Sequence, residues 1–117
     1  MGMTKSDAVY LHHILDACAT LVEIRKRAGS ANGLEARPVE RAAAERLLTV
    51  IGEAAKNVSP AFRADHPEIP WKGMAGLRDR LVHHDFGVDY EAVWATIVED
   101  LPEMEARVGA ALEAAGS

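Results

Sequence analysis

The chain has 117 residues, 49% of them hydrophobic and 26% charged, with a formal net charge of −5. That length suits one domain, residues 1–117, which buries about two-thirds of the surface its unfolded chain exposes and holds one core without covalent staples. The lone cysteine, Cys18, excludes an intramolecular disulfide, no apolar run approaches membrane-spanning length, and the acidic balance counts against a general nucleic-acid binder. A soluble, cytoplasmic protein is expected.

The apolar residues recur with helical period almost throughout, and no segment reads as a convincing strand. The spacing predicts a first helix over about Ser6 to Arg27, with Leu11, Ile14, Leu15, Cys18, Leu21, Val22 and Arg25 on one face. Cys18 falls in that register and is expected to act as a small core residue. Gly29-Ser30-Ala31-Asn32-Gly33 ends the helix and reads as a mobile loop. A second helix starts near Pro38, whose fixed φ suits a first turn, and stops at Ser59-Pro60. Its expected inward residues are Ala43, Leu47, Val50, Ile51, Ala54 and Val58. Residues 61–69 read as a short helical turn and a loop closed by Pro67 and Pro70.

A third helix is predicted over about Pro70 to His84. The fourth begins after Gly87 with Asp89 as its cap, and Tyr90, Val93, Ile97, Leu101, Met104, Val108 and Leu112 form its seam. Pro102 predicts a kink or restart, with Asp100 and Glu103 as a capping box. The two ends, about 1–4 and 113–117, are expected to fray. Four antiparallel helices with short links and one extra helical turn make an all-α, up-down four-helix bundle.

The stretch richest in chemistry is Arg78-Asp79-Arg80-Leu81-Val82-His83-His84-Asp85-Phe86. Arginine offers a planar, permanently charged fork that fits phosphate oxygens, and histidine exchanges a proton near neutral pH. Together they supply what metal-free cleavage of an RNA backbone requires: one group moves the 2′-hydroxyl proton, the other stabilises charge building on the phosphate. Residues 71–84 hold Lys72, Arg78 and Arg80 against the single acid Asp79, a local basic site on an acidic body. On a helix, Arg78 and His83 stand about 140° apart, which favours a site completed by a second copy. Asp79 and His83, four apart, would share a face, so Asp79 is placed to orient the imidazole or else forms an ordinary exposed pair. Arg80, His84 and Lys72 are candidate RNA-binding residues. His12, His13 and His66 lack metal-ligand spacing, no phosphate-binding glycine loop is present, and neither a metal nor a cofactor is expected. Trp71 and Trp94 read as packing residues rather than base-stacking platforms.

Arg78-x4-His83 in a small helical chain resembles the signature of the HEPN superfamily of ribonucleases. The match extends through His66-Pro67-Glu68-Ile69-Pro70-Trp71, Gly76-Leu77, Phe86-Gly87-Val88-Asp89-Tyr90-Glu91, Val93-Trp94 and Asp100-Leu101-Pro102. Upstream, Glu40-Arg41-Ala42 and Ile51-Gly52-Glu53-Ala54-Ala55 also fit, so the likeness spans roughly residues 5–112 and is similar to the HepT-like toxins. That resemblance implies a dimeric endoribonuclease with a composite site on a two-fold axis. It also implies a cognate MNT-type nucleotidyltransferase antitoxin, with Arg78 and His83 as the catalytic pair. HepT-like toxins often carry a tyrosine two residues after the motif histidine, where the antitoxin attaches AMP. This chain has Asp85 there, which favours control by complex formation, with Tyr90 the alternative acceptor although its seam position argues for burial. Two other readings stay open: a catalytically inactive dimeric helical module that binds a nucleotidyltransferase or nucleotide, and a structural helical adaptor.

Overall fold

The computed structural model describes residues 3–83 and 87–116, with His83 described by its backbone only. The fold is all-α. Helix α1, Lys5–Ala28, starts at Thr4, whose hydroxyl accepts the Asp7 N–H at 3.0 Å while the Asp7 carboxylate accepts the Thr4 N–H at 3.3 Å. This reciprocal pair satisfies two donors that a helix start otherwise leaves free. Asp7 is 1% exposed and also accepts the Ser59 N–H at 2.7 Å and the Ser59 hydroxyl at 2.8 Å. Burial works to raise its pKa, but the hydrogen bonds from Ser59 and Thr4 together outweigh it and hold the carboxyl below its ordinary value.

Gly29 closes α1 in the left-handed conformation, φ 76°, which a side chain disfavours. The expected mobile loop is instead an ordered short helix, α2, Ala31–Glu35. Ser30 caps it by accepting the Gly33 N–H at 2.9 Å, and Ala31 and Leu34 are buried. Helix α3, Pro38–Asn57, and the short α4, Pro60–Asp65, follow their predicted starts, with Ser59 capping α4.

The predicted third helix is broken. It forms α5, Trp71–Ala75, and α6, Leu77–Leu81, with the chain turning at Gly76. It ends at Leu81: Val82 is extended at φ −113° and ψ 122°, and β1, Val82–His83, pairs antiparallel with β2, Gly87–Val88. The Asp89 N–H bonds the Leu81 carbonyl at 2.9 Å, so this small ladder offers the backbone bonds that a helical continuation would have supplied. β-branched Val82 tips the balance further towards extended backbone.

Asp89 caps α7, Tyr90–Ala95, as expected, accepting the Ala92 N–H at 3.0 Å. A π-helical turn, Thr96–Asp100, then joins α7 to α8, Leu101–Ala114. The expected capping box at Asp100 does not form; the Leu101 N–H reaches back to Thr96, and this wider turn, rather than a restart, brings the chain to Pro102.

Helix α1 packs chiefly on α3 and α8, α3 on α5 and α6, and α2 on α7. Fully buried Leu11, Ile14, Leu21, Ile51, Ile97 and Leu101 lie along these contacts, each stabilising by roughly 1.5–3 kcal/mol. Gly52 lets α3 and α5 approach closely. A Cβ there would stand 3.1 Å from the Met74 carbonyl oxygen and 3.3 Å from that of Ala75. Cys18 is fully buried and its thiol is pushed up to about 12 by burial, as suits a core residue. No helix among the described residues is long and apolar enough to cross a membrane.

Candidate active site

Helix α6 carries the motif arginines. Leu77 and Leu81 anchor it in the core, and Arg78, Asp79 and Arg80 are exposed. Alternate positions on one turn point to different sides, so the two arginines border different hollows. Arg78 borders a narrow space of about 20 Å³ shared with Glu45, Leu48, Leu81, Val82 and Val88. That is room for about one water, with Arg78 and Glu45 among otherwise apolar lining residues. Glu45 is itself held: the Tyr90 hydroxyl donates to its Oε2 at 3.1 Å. Burial, then this carboxylate, raise the Tyr90 pKa above its ordinary value. Among the described residues no hydrogen bond or ion pair engages the Arg78 guanidinium, so its fork is open to a ligand.

On the other flank of α6, Arg80 reaches across to the Gly73 carbonyl at 3.4 Å and borders a wider cleft of about 300 Å³. Lys72 is exposed on α5. The loop leading into α5 is pinned by packing: Trp71 donates to the His66 carbonyl at 2.9 Å, and its ring meets Phe62 edge-on at 6.1 Å. Trp71 is therefore a packing residue, as expected. The His66 ring lies against Phe62 and its Nδ1 stands 3.1 Å from Glu68 Oε2. Hydrogen bonds to Glu68's own backbone and to His66 hold the Glu68 carboxyl below the usual range. Among the described residues no three His, Cys, Asp or Glu side chains cluster.

His83 follows Arg78 by one helical turn and one extended residue, in register with Gly87. Two expectations change as a result. The 140° separation does not apply, because the pair does not share a helix. Asp79 and His83 do not form a helical pair four apart either, so Asp79 loses the geometry that made it a support for the imidazole. The His83 side chain, His84 and Asp85 lie outside the described residues. Glu45 was not foreseen beside Arg78, nor was its hydrogen bond from Tyr90. The available signal was Glu45 standing three residues before Leu48, a charge bordering an apolar stripe.

The sequence model of the family described as Ribonuclease HepT-like matches residues 14–111. The chain belongs to this HepT-like family. It is 43% identical over 104 residues to a protein of Caldanaerobacter subterraneus subsp. tengcongensis named as a candidate RNase, covering 89% of this chain and 92% of that one. It is 37% identical over 105 residues to a Thermococcus cleftensis protein named Probable ribonuclease HepT, covering 90% and 94% of the two chains. A Methanocaldococcus jannaschii protein named as a candidate RNase is 37% identical over 101 residues, covering 86% and 83%. No solved structure matches the chain. The HepT-like match takes in α6, the motif and most of α8, so both hollows lie within it.

Proposed function

We propose that the protein is a metal-independent endoribonuclease, the toxin of a toxin–antitoxin pair, acting as a homodimer with a nucleotidyltransferase antitoxin as partner. Membership of the HepT-like family carries this reading, supported by the open guanidinium of Arg78 on the turn that leads into His83. In the proposed step the His83 imidazole takes the proton of an RNA 2′-hydroxyl as that oxygen attacks the adjacent phosphorus. The P–O5′ bond breaks, and the 5′-oxygen leaves with a proton returned by the imidazolium. A 2′,3′-cyclic phosphate and a free 5′-hydroxyl result. Arg78 stabilises the charge on the non-bridging oxygens.

With both motif residues on one short turn and hairpin, the dimer rests on the family resemblance rather than on helix geometry. Asp85 lacks the phenol that the family resemblance makes the AMP acceptor, which favours control by complex formation. Tyr90 is a poor substitute, since its hydroxyl is already engaged by Glu45. The net charge of −5 favours one other reading, an inactive module that binds the nucleotidyltransferase. Induced expression decides between them: growth arrest that Arg78→Ala relieves, with cyclic-phosphate ends on the cleaved RNA, is expected of the enzyme. Growth unaffected by either chain would leave the binding module.

A further inference from the structure

The wider cleft beside α6 has a composition that a phosphate site alone does not explain. One wall is the face of α5 carrying Pro70, Gly73 and Met74. Opposite stand Asp100, Glu103, Met104 and Arg107, whose spacing of three, four and seven residues marks a single helical face. Exposed Pro70 gives the cleft an apolar surface, and Met74 and Met104, 0% and 4% exposed, are buried in its walls. At the rim Arg80 lies against the Gly73 carbonyl, most of its donors still free. Glu103 is paired with Arg107, which also donates to the Glu68 carbonyl. Asp100 is different: it makes no cap bond to its own helix, and no described residue pairs with it. It ends the π-helical turn, a local distortion frequent at functional sites.

An apolar surface, a free carboxylate and an arginine at the mouth match one nucleotide: a flat base on Pro70 above the buried methionines, its edge on the carboxylate and its phosphate on the arginine. A carboxylate has only acceptors, two of them side by side. Guanine presents two adjacent donors, N1–H and the N2 amino group, whereas adenine and cytosine offer a single amino group and uracil a single N–H. We infer that the cleft between α5 and α8 is a guanine-binding subsite, with Asp100 reading the base edge and Arg80 holding its phosphate. It takes a guanine nucleotide of the RNA strand lying across α6 and so determines where the strand is cut. The subsite rests on the ribonuclease reading for the identity of its ligand as RNA, but base binding is measurable without cleavage.

The test uses the full chain with its methionine methyl groups labelled with carbon-13 and titrated separately with the 5′-monophosphates of guanosine, adenosine, cytidine and uridine. The Met74 and Met104 methyl signals are expected to shift with GMP, at an affinity about tenfold or more above the other three, the discrimination of one good bidentate contact. Asp100→Asn replaces one acceptor oxygen by a donor and should erase the preference. Gly73→Leu, at a position where an added Cβ meets nothing closer than Pro70 at 3.9 Å, should fill the cleft and weaken all four. Unchanged thermal melts keep both variants interpretable, and a lowered melt transfers the test to Asp100→Ser. Equal binding of all four nucleotides, no shift at millimolar GMP, or a preference surviving in the Asp100 variant would overturn the subsite. Asp100-dependent GMP binding in a protein that cuts no RNA would overturn the ribonuclease reading and leave the subsite standing.

Discussion

Asp7→Ala should be among the most damaging single changes at a charged position in this chain, although it lies on α1, outside the motif. The carboxylate accepts the Ser59 N–H at 2.7 Å, the Ser59 hydroxyl at 2.8 Å and the Thr4 N–H at 3.3 Å, in a setting 1% exposed. Hydrogen bonds to a charged group contribute about 1.5–3 kcal/mol each, and a buried donor left unmatched costs about 1–3 kcal/mol. Relief of the carboxylate's own desolvation offsets part of this, so a net loss of about 3 kcal/mol is expected. At roughly 4 °C per kcal/mol for a chain of this length, the melting temperature should fall by about 12 °C. The loss depends on pH with a definite sign. The folded-state carboxyl lies below its ordinary value of 3.8, so the stabilisation is in full force above that value. It drains away as pH falls through the depressed folded-state pKa, and the native and Asp7→Ala proteins should then converge. Urea denaturation of both proteins between neutral and acid pH measures it. A loss under about 1 kcal/mol at neutral pH, or a gap that stays constant into the acid range, would show that the Asp7 carboxylate does not anchor Ser59 and Thr4.

Arg78→Lys keeps the charge but loses the planar fork, so it should bind RNA near normally while cleaving it slowly, as single-turnover assays would show. His83→Ala should lower the cleavage rate by roughly 10²–10⁴-fold, and a variant that cuts at the native rate would remove His83 from the proposed step. Cleavage should persist in EDTA; loss on chelation with recovery on adding magnesium or manganese would replace this chemistry with a metal-assisted one. Gly52→Ala should cost about 1–3 kcal/mol by pressing a Cβ against the Met74 and Ala75 carbonyls, and a melt equal to the native one would show that α5 moves freely off α3.

The long helices were legible because their signals are local and redundant. The α7–α8 seam of Val93, Ile97, Leu101, Met104, Val108 and Leu112 is buried as its spacing predicted, with Tyr90 half-buried at its start. On α3 Ile51 and Ala54, and Val58 at its C-cap, are buried as read, but in the first half the pattern is shifted by one residue: Ala44 and Leu48 form the core, while Ala43, Leu47 and Val50 are half-buried. Period alone did not resolve this, because α3 is packed by α1 on one side and by α5 and α6 on another, so its apolar arc is wide and its centre depends on partners distant in sequence. The end of α6 was misread for a related reason. Leu81 and Val82 look alike to a hydrophobic pattern, yet extended backbone begins at Val82, where Val88 offers it a partner. Asp7 escaped notice because its importance comes from Ser59, 52 residues away.

The break after Leu81 changes the logic of the motif more than it changes the fold. If the helix had continued to His84, the five-residue spacing would have set Arg78 and His83 on different faces, and only a second copy could have gathered them. A helical turn followed by an extended residue frees the histidine backbone from the helical screw, so its position is governed by the β1–β2 pairing instead. Arg78 and Arg80 remain on the helix, about 200° apart around its axis. One borders a hollow the size of a water molecule beside Glu45, the other a cleft large enough for a base beside Asp100. A wide cleft with a free carboxylate suits recognition. On the proposed reading, the same short helix, anchored by Leu77 and Leu81, serves the chemistry with one flank and the recognition of the strand with the other.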